Sequence, residues 1–575
     1  MPLLVEEISH RLAQSLAQCD YTDITPAVSP TNDTRFGDYQ TNVAMQIAKA
    51  ARTNPREVAQ RICEKFDTSG LTETPEIAGA GFINFRILND KLVSTANTMC
   101  YDERLGLPVT ETPKTIIIDF SSPNVAKPMH VGHIRSTIIG DCLARVARFV
   151  GHHVITDNHI GDWGTQFGKV IYGWKHLLDP DALERDPIAE LVRLYREINT
   201  REASEPAVAQ AAREELVKLQ SGDEENLAIW RKCVELSWRE FEKIYKTLDV
   251  TFDEHLGESF YNDKLAPLCD RLEKLGLATH SEGALCIFFP DIPALAEKPA
   301  IIRKSDGGFL YATTDLATIE YRVERWHPGA VWYVVGAPQT LHFEQIFEAS
   351  RRMGIEANLQ HIPFGSILGA DRKIMKTRAG DNIGLREVLD EAVTRAETVI
   401  SEKNPMFDPI ERSRIALIVG IGAVKYAELS QNRMSDYIFA WDKMLAFHGN
   451  TAPYLQNAYV RIQSIFRKAA ESIMESSAVC IHEHIAIAAS EERLLALHLA
   501  RYAEMVPHVL DDFRPNLLAN YLYELAELFH AFYEACPVLK AEEAIRISRL
   551  ALCRWTSRVL AHGLSLMGIQ CPERM

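Results

Sequence analysis

"TIIIDFSSPNVAKPMHVGHIRSTIIGDCLARVARFVGHHVITD", residues 115–157, decides the fold. "TIIIDF" is a short β-branched run and reads as a buried strand. "HIRSTIIGDCLARVARFVG" sets Ile134, Ile138, Ile139, Val146 and Val150 at helical spacing and stops at Gly151. "HHVITD" reads as the next strand. Strand, helix and strand together predict a βαβ unit, hence a parallel sheet with a right-handed crossover.

The junction between the first strand and the helix holds His130, Gly132 and His133. A helix start offers free backbone N–H groups and a positive dipole end, both favourable to phosphate. Gly132 has no side chain, so an adenine or ribose could approach the backbone closely. His130 and His133 could donate to phosphate oxygens and to charge developing on an α-phosphate under attack. The plainer alternative is two structural histidines capping a helix. No G-x-G-x-x-G follows the strand and no G-x-x-x-x-G-K-[ST] occurs, which argues against a dinucleotide fold and a P-loop.

Working outward, "VWYVVGAPQTLHFEQIFEASRRMG" and "HIPFGSIL" continue the strand–helix alternation. Residues 180–250 or so are charged and helical and read as an insertion on that core. Residues 1–108 read as an α+β unit, with helical periodicity in "NVAMQIAKAARTNPREVAQRICEKF" and an alternating strand in "GAGFINFRI" that puts Phe82, Asn84 and Arg86 on one face. "LGLPVTETPK" is a polar, proline-broken linker. After about 435 no strand pattern survives, and a helical bundle is expected. The predicted organisation is 1–108 α+β, 109–435 α/β and 436–575 all-α.

The net charge is −16 over 575 residues, so the surface as a whole does not attract nucleic acid, although a local patch still can. Residues 441–575 carry 13 Lys+Arg against 15 Asp+Glu and are nearly neutral, which permits contact with a polyanion. Eleven cysteines with no C-x-x-C pair argue against a zinc ribbon and for reduced thiols. Leu4, Ile8, Leu12 and Leu16 make an amphipathic first helix, and Glu6 and Glu7 interrupt any signal-peptide core. No apolar run approaches the roughly 18 residues of a membrane span. The expectation is a soluble, cytoplasmic protein.

"SSPNVAKPMHVGHIRSTIIGD" (121–141) resembles the first signature of class I aminoacyl-tRNA synthetases, and the wider string resembles the arginyl-tRNA synthetase family. "NHIGDWGTQFG" (158–168), "YATTDLATIEYR" (311–322), "GAPQTLHF" (336–343) and "APYLQNAYVRIQSI" (452–465) resemble that family's blocks in order. So do "GAGFINFRI" and the C-terminal "HGLSLMGIQCPERM". The resemblance covers nearly the whole chain. It implies a Rossmann-like parallel-sheet catalytic domain, an N-terminal α+β domain touching the tRNA elbow, and a C-terminal all-α anticodon-binding domain.

The family's second signature, a mobile Lys-Met-Ser-Lys loop on the ATP phosphates, corresponds to "DRKIMKTRAGD" (371–381). Aligned on Met375 and Arg378, Ile374 and Thr377 stand at the two lysine positions, Lys376 takes the serine position and Lys373 lies one residue early. The resemblance implies that Lys127 then helps hold the phosphates. A lysine or arginine from either side could supply the fixed charge the triphosphate needs.

A guanidinium calls for carboxylates and planar acceptors. If a helix has begun at Tyr311, Asp315 four residues on shares its face. The family's arginine-binding positions map onto Asp119, Asn124, Tyr311, Asp315 and Gln339, with the two aspartates near the guanidinium and Asn124 and Gln339 nearer the α-amino and carboxylate end. Many members have Asp where Gly336 stands. Such a site should reject lysine by roughly 10⁴ to 10⁵, without an editing domain.

The implied substrates are ATP, with Mg²⁺ accompanying it, L-arginine and tRNA(Arg). The arginine carboxylate attacks the α-phosphate, and the tRNA ribose hydroxyl then attacks the arginyl-adenylate, in an enzyme expected to be a monomer with no protein-bound zinc. The family needs bound tRNA before it activates the amino acid. Tyr454, Asn457, Tyr459 and Arg461 offer aromatic, amide and cationic groups to unstacked RNA bases, or alternatively pack into the bundle. Two rivals remain: another ligase of the same nucleotidyl-transfer fold, which has no use for the long helical end, and a non-catalytic tRNA-binding paralogue, expected to have lost His130 or His133.

Overall fold

The computed structural model describes residues 2–31, 33–369, 371–373, 383–474 and 484–575, without the side chains of 472–474. The first unit is α+β. Its antiparallel sheet runs Val28–Pro30, Tyr39–Thr41, Phe82–Phe85, Glu76–Ala78 in spatial order. The helical stretch after Asn42 breaks in two, Val43–Ala51 and Pro55–Lys65. Arg52 turns left-handed at φ 53° and Asn54 caps the second helix, accepting the Arg56 N–H at 3.0 Å. Pro55 at the first turn needs no intrahelical donor there.

The core sheet is four parallel strands. In chain order the elements are β1 (Thr115–Asp119), α1 (Gly132–Val150), β2 (His153–Asp157), α2 (Tyr311–Trp326), β3 (Ala330–Tyr333), α3 (Thr340–Arg352) and β4 (Asn358–His361). The spatial order is β4-β3-β1-β2. The chain thus leaves β1 to one side for β2 and returns on the other as β3. Open α/β sheets bind ligands at the carboxyl end of such a switch point, here the end of β1. α1 packs closely under β1 because Gly140 has no side chain: a Cβ there would meet the Phe120 ring at 2.2 Å. His361, Tyr333, Asp119 and Asp157 stand in register across the last rung.

Between β2 and α2 lies the helical insertion, with Pro180–Arg185, Pro187–Glu202 and Pro206–Gln220 each opened by proline, then the long Glu224–Leu248 helix. A three-stranded antiparallel sheet follows, Thr279–Ser281, Ala284–Ile287 and Ala300–Arg303. Its strands of three or four residues are too short to carry a visible period in the sequence.

The expectation of no strand after 435 is corrected. Tyr437–Ile438 pairs in parallel with Ile367–Leu368, a two-residue rung set by long-range packing. Beyond it the chain is helical, from Ala452–Met474 through Glu543–Leu566, around the fully buried Trp555. The first unit docks on this bundle. Arg493 grips both oxygens of Asp38 at 3.0 and 2.7 Å, and the Tyr39 hydroxyl donates to Glu504 at 2.9 Å.

Candidate active site

Three non-glycine residues between β1 and α1 take left-handed backbone: Ser121 (φ 74°), Ser122 (φ 48°) and Ala126 (φ 60°). Such strain persists only where surroundings over-determine it. Here the Ser121 N–H donates to Ser136 Oγ at 2.8 Å, and Thr137 Oγ1 donates to Ser121 Oγ at 2.8 Å. The Ser122 N–H donates to Asn158 Oδ1 at 3.1 Å, and the Ala126 N–H to Ser237 Oγ at 3.0 Å. Val125 N–H and Gly161 N–H zip the loop to the 158–168 segment, each at 3.0 Å from its carbonyl acceptor.

α1 opens at Gly132, with Val131 before it. The His130 N–H donates to His133 Nδ1 at 3.1 Å, and the Gly132 N–H donates to His130 Nδ1 at 3.1 Å. His130 Nδ1 is therefore an acceptor, which puts the proton of its neutral ring on Nε2, while His133 Nδ1 lies between the His130 N–H and the His130 carbonyl oxygen, the latter at 3.3 Å. The rings lie 4.0 Å apart, centre to centre. Burial pushes the His133 imidazole down to about 3, aided by its neighbour His130; burial and then Lys127 lower His130. Two neutral N–H donors therefore sit at the helix start, where negative charge is favoured. The loop is also tied to the far side of the second-signature segment: Val131 N–H donates to Ile383 O at 2.9 Å and Leu385 N–H to Met129 O at 2.8 Å. Met375, Lys376 and Arg378 lie outside the described residues. Lys127 is exposed, its Nζ 5.9 Å from the ring centre of Tyr195 in the insertion.

α2 does begin at Tyr311, so Tyr311 and Asp315 share a face. Tyr311 is 62% exposed and meets the His342 ring edge-on at 4.6 Å. His342 Nε2 pairs with Asp315 Oδ2 at 2.6 Å. Asn124 and Gln339 are exposed, on the signature loop and on the 3₁₀ turn Ala337–Gln339 after β3. A Cβ at Gly336 would meet only ordinary contacts, the nearest at 3.6 Å, so a larger side chain has room there.

Asp119 is buried and already engaged: Ser122 Oγ donates to its Oδ1 at 3.1 Å and Arg322 Nη2 to its Oδ2 at 2.6 Å. Burial raises this carboxyl, against the opposing pull of Arg322. Arg322, His342 and His159 received no role from the sequence, although all three lie within the quoted blocks. The signal for Arg322 was its position seven residues after Asp315, on the same helix face. His159 donates from Nδ1 to the Leu256 carbonyl at 2.8 Å. Burial alone would lower its basicity, but Asp119, Asp315 and Asp157 outweigh burial and raise it.

In the helical domain Asn457 and Arg461 line a groove of about 760 Å³ with Arg467, Lys468, Tyr533 and Arg574. Among the described residues no acid lines it, and Arg461 lies 5.6 Å from the Tyr533 ring centre. Tyr454 and Tyr459 are half-buried and are not among its lining residues. Tyr454 Oη bonds His530 Nδ1 at 2.8 Å and its ring packs on Tyr523.

A two-histidine helix start at the switch point of a parallel sheet, joined to a helical domain with a basic groove, is the arrangement of a class I aminoacyl-tRNA synthetase. Residues 96–441 match the family of class I (R) tRNA synthetase catalytic domains, 455–575 the DALR anticodon-binding domain, and 6–87 the arginyl-tRNA synthetase N-terminal domain. The chain belongs to the arginyl-tRNA synthetases. It is 46% identical to the arginine–tRNA ligase of Thermobifida fusca, covering 97% of this chain and 96% of that one. It is 43% identical to that of Cellvibrio japonicus, covering 99% of each. The solved arginyl-tRNA synthetase of Plasmodium falciparum superposes with a TM-score of 0.84 at 29% identity, covering all of both chains. That of Thermus thermophilus reaches the same TM-score and coverage at 24% identity.

Proposed function

We infer that this chain joins L-arginine to tRNA(Arg) at the expense of ATP, through an arginyl-adenylate, and that the named side chains divide that work as follows. His130 and His133 present their Nε2–H groups to the triphosphate and to charge building on the α-phosphate, with Gly132 leaving the backbone open to the nucleotide. Lys127, Met375, Lys376 and Arg378 complete the phosphate side. Asp119 and Asp315 flank the guanidinium, Tyr311 covers it, and Asn124 and Gln339 orient the α-amino and carboxylate end. With both substrates held, the carboxylate oxygen attacks the α-phosphorus and pyrophosphate leaves. The tRNA ribose hydroxyl next attacks the activated carbonyl and AMP leaves. Positioning and charge carry the rate, and no side chain becomes covalently attached.

Mg²⁺ arrives with the ATP phosphates and neutralises part of their charge. Among the described residues no group of three His, Cys, Asp or Glu could hold a metal. Asn457, Arg461 and the basic groove receive the anticodon end, and Tyr454 supports the groove from within the bundle. One chain builds the signature loop, the acidic slot and the groove, which supports a monomer as the working unit. Among the described residues no helix is long and apolar enough to cross a membrane, in keeping with work in the cytoplasm.

The observation that carries this reading is the acidic cluster at the carboxyl end of β1, where Asp119 and Asp315 both act on His159, one loop before the two-histidine helix start. ATP–pyrophosphate exchange with each amino acid, with and without tRNA, tests it. Exchange specific for arginine is expected. Exchange with another amino acid would refute the slot, and no exchange at all would favour a non-catalytic tRNA-binding role.

A further inference from the structure

Beneath the proposed slot, the last rung of the core sheet ends in an ion cluster of which only Asp119 has a role above. Tyr333, Asp119 and Asp157 are register partners across β3, β1 and β2. Parallel partners project to the same face. Arg322, near the end of α2, is fully buried against that rung. A single nitrogen, Nη2, donates to Asp119 Oδ2 at 2.6 Å and to Asp157 Oδ2 at 2.7 Å. The guanidinium carbon lies 5.3 Å from the Tyr333 ring centre. Nε and Nη1 are buried and meet no acceptor among the described residues, so the whole hold on both carboxylates runs through that one atom.

We propose that Arg322 is a positioning residue for the amino-acid slot: it clamps Asp119 to Asp157, offsets the charge of the two carboxylates, and fixes the direction in which Asp119 faces the substrate. The inference rests on the reading that Asp119 and Asp315 flank the guanidinium.

The reason is electrostatic. Burial and the neighbouring Asp157 charge raise the Asp119 carboxyl and Arg322 opposes them, so Asp119 takes up a proton once that cation is gone. A protonated Asp119 no longer attracts a cation. A permanent guanidinium behind the slot is therefore compatible with a slot for a guanidinium. Three carboxylates (Asp119, Asp157 and Asp315) against Arg322 leave net negative charge for the substrate even when His159, whose basicity they raise, is counted as a second cation. The other titratable groups facing the cluster are His159 after β2, Tyr333 on β3, His255, and Tyr261 and Glu258 from the 3₁₀ turn Glu258–Tyr261. Asp119 has acceptor capacity to spare, since a carboxylate offers about four lone-pair sites and two contacts are made.

The test uses the full chain, assayed by aminoacylation with tRNA present, and varies arginine and ATP separately from about pH 6 to 9. Arg322→Met should raise the arginine KM roughly tenfold or more while the ATP KM stays within about twofold. The arginine KM of that variant should fall again as pH rises and the proton leaves Asp119. Adding Asp157→Asn removes the like charge and should recover most of the arginine KM, which a packing defect would not do. Arg322→Lys keeps a cation and should show a smaller rise of the same kind; it gives the reading if Arg322→Met does not fold. Arginine and ATP KM rising together, or an arginine KM indifferent to pH and to Asp157→Asn, would overturn the proposal. Asp315→Asn separates the two levels. If it leaves the arginine KM unchanged, the slot itself is misplaced. If it raises the arginine KM while the Arg322 variants keep the ratio of the unaltered enzyme, only the clamp is wrong.

Discussion

His342 Nε2 and Asp315 Oδ2 meet at 2.6 Å across the gap between α3 and α2. The pair joins the helix after β3 to the helix before it, at the mouth of the proposed arginine slot. The Tyr311 ring stands edge-on to the same imidazole.

The pair makes Asp315 the first residue to test. Asp315→Ala should raise the arginine KM by roughly 100-fold, the size of a lost charge-assisted bond of about 3 kcal/mol, and leave the ATP KM nearly unchanged. His342→Ala frees Asp315 to turn and should raise the arginine KM by a smaller factor. Steady-state aminoacylation with each substrate varied measures both. An arginine KM that ignores Asp315→Ala would remove that residue from the pocket.

At the signature, the two nitrogens of His133 have separable duties. Nδ1 lies 3.1 Å from the His130 N–H, and Nε2 is the nitrogen left for the substrate in the proposed role. His133→Asn can keep the first contact and loses the second. It should cut the rate of adenylate formation by roughly 10² to 10³. His133→Gln places an amide N–H nearer the Nε2 position and should retain more activity. Pyrophosphate exchange compares them, and equal losses would argue for a purely structural histidine.

In the helical groove, Arg461→Ala should raise the tRNA KM and leave the arginine and ATP KM values alone. If Arg461 contacts a phosphate, the slope of log affinity against log salt should become shallower by about 0.7. Filter binding across a salt series reads this directly. An unchanged slope with weaker binding would assign Arg461 to base stacking through Tyr533 instead.

Deep in the bundle, His498 stacks on Tyr521 at 4.2 Å, pairs through Nε2 with the Tyr521 carbonyl at 3.1 Å, and is pushed down to about 4 by burial. The unfolded chain takes up that proton near 6.5, whereas the folded chain resists it until about 4. More protons bind to the unfolded state in that window, so stability contributed by the neutral ring is present above 6.5 and is lost as pH falls toward 4. His498→Gln cannot titrate. Its unfolding midpoint should drop less than that of the unaltered chain between about pH 7 and pH 5. Parallel drops would sink the assignment.

The sequence was most legible where one local rule acted alone. The β-branched run before Ser121, the helical spacing from Ile134 to Val150 and the stop at Gly151 are all short-range, and β1 and α1 fall where those signals put them. So does the face shared by Tyr311 and Asp315, which needs only 3.6 residues per turn. Strands of two to four residues, such as Tyr437–Ile438 and Ala284–Ile287, escaped because partners far along the chain define them and periodicity does not.

From its sequence alone, then, this protein's α/β grammar, its helical C-terminal end, its histidine pair and its likeness to one enzyme family were already determined, because hydrophobic period and residue spacing are properties of neighbours. Only the tertiary structure decided that β1 is the switch strand, that Asp119 and Asp157 share the nitrogen of Arg322, and that His342 belongs to Asp315. Those are contacts between residues 165 or 203 positions apart in the cluster and 27 apart at the mouth. No local pattern encodes which distant side chain closes a pair; the packing of helices on the sheet does.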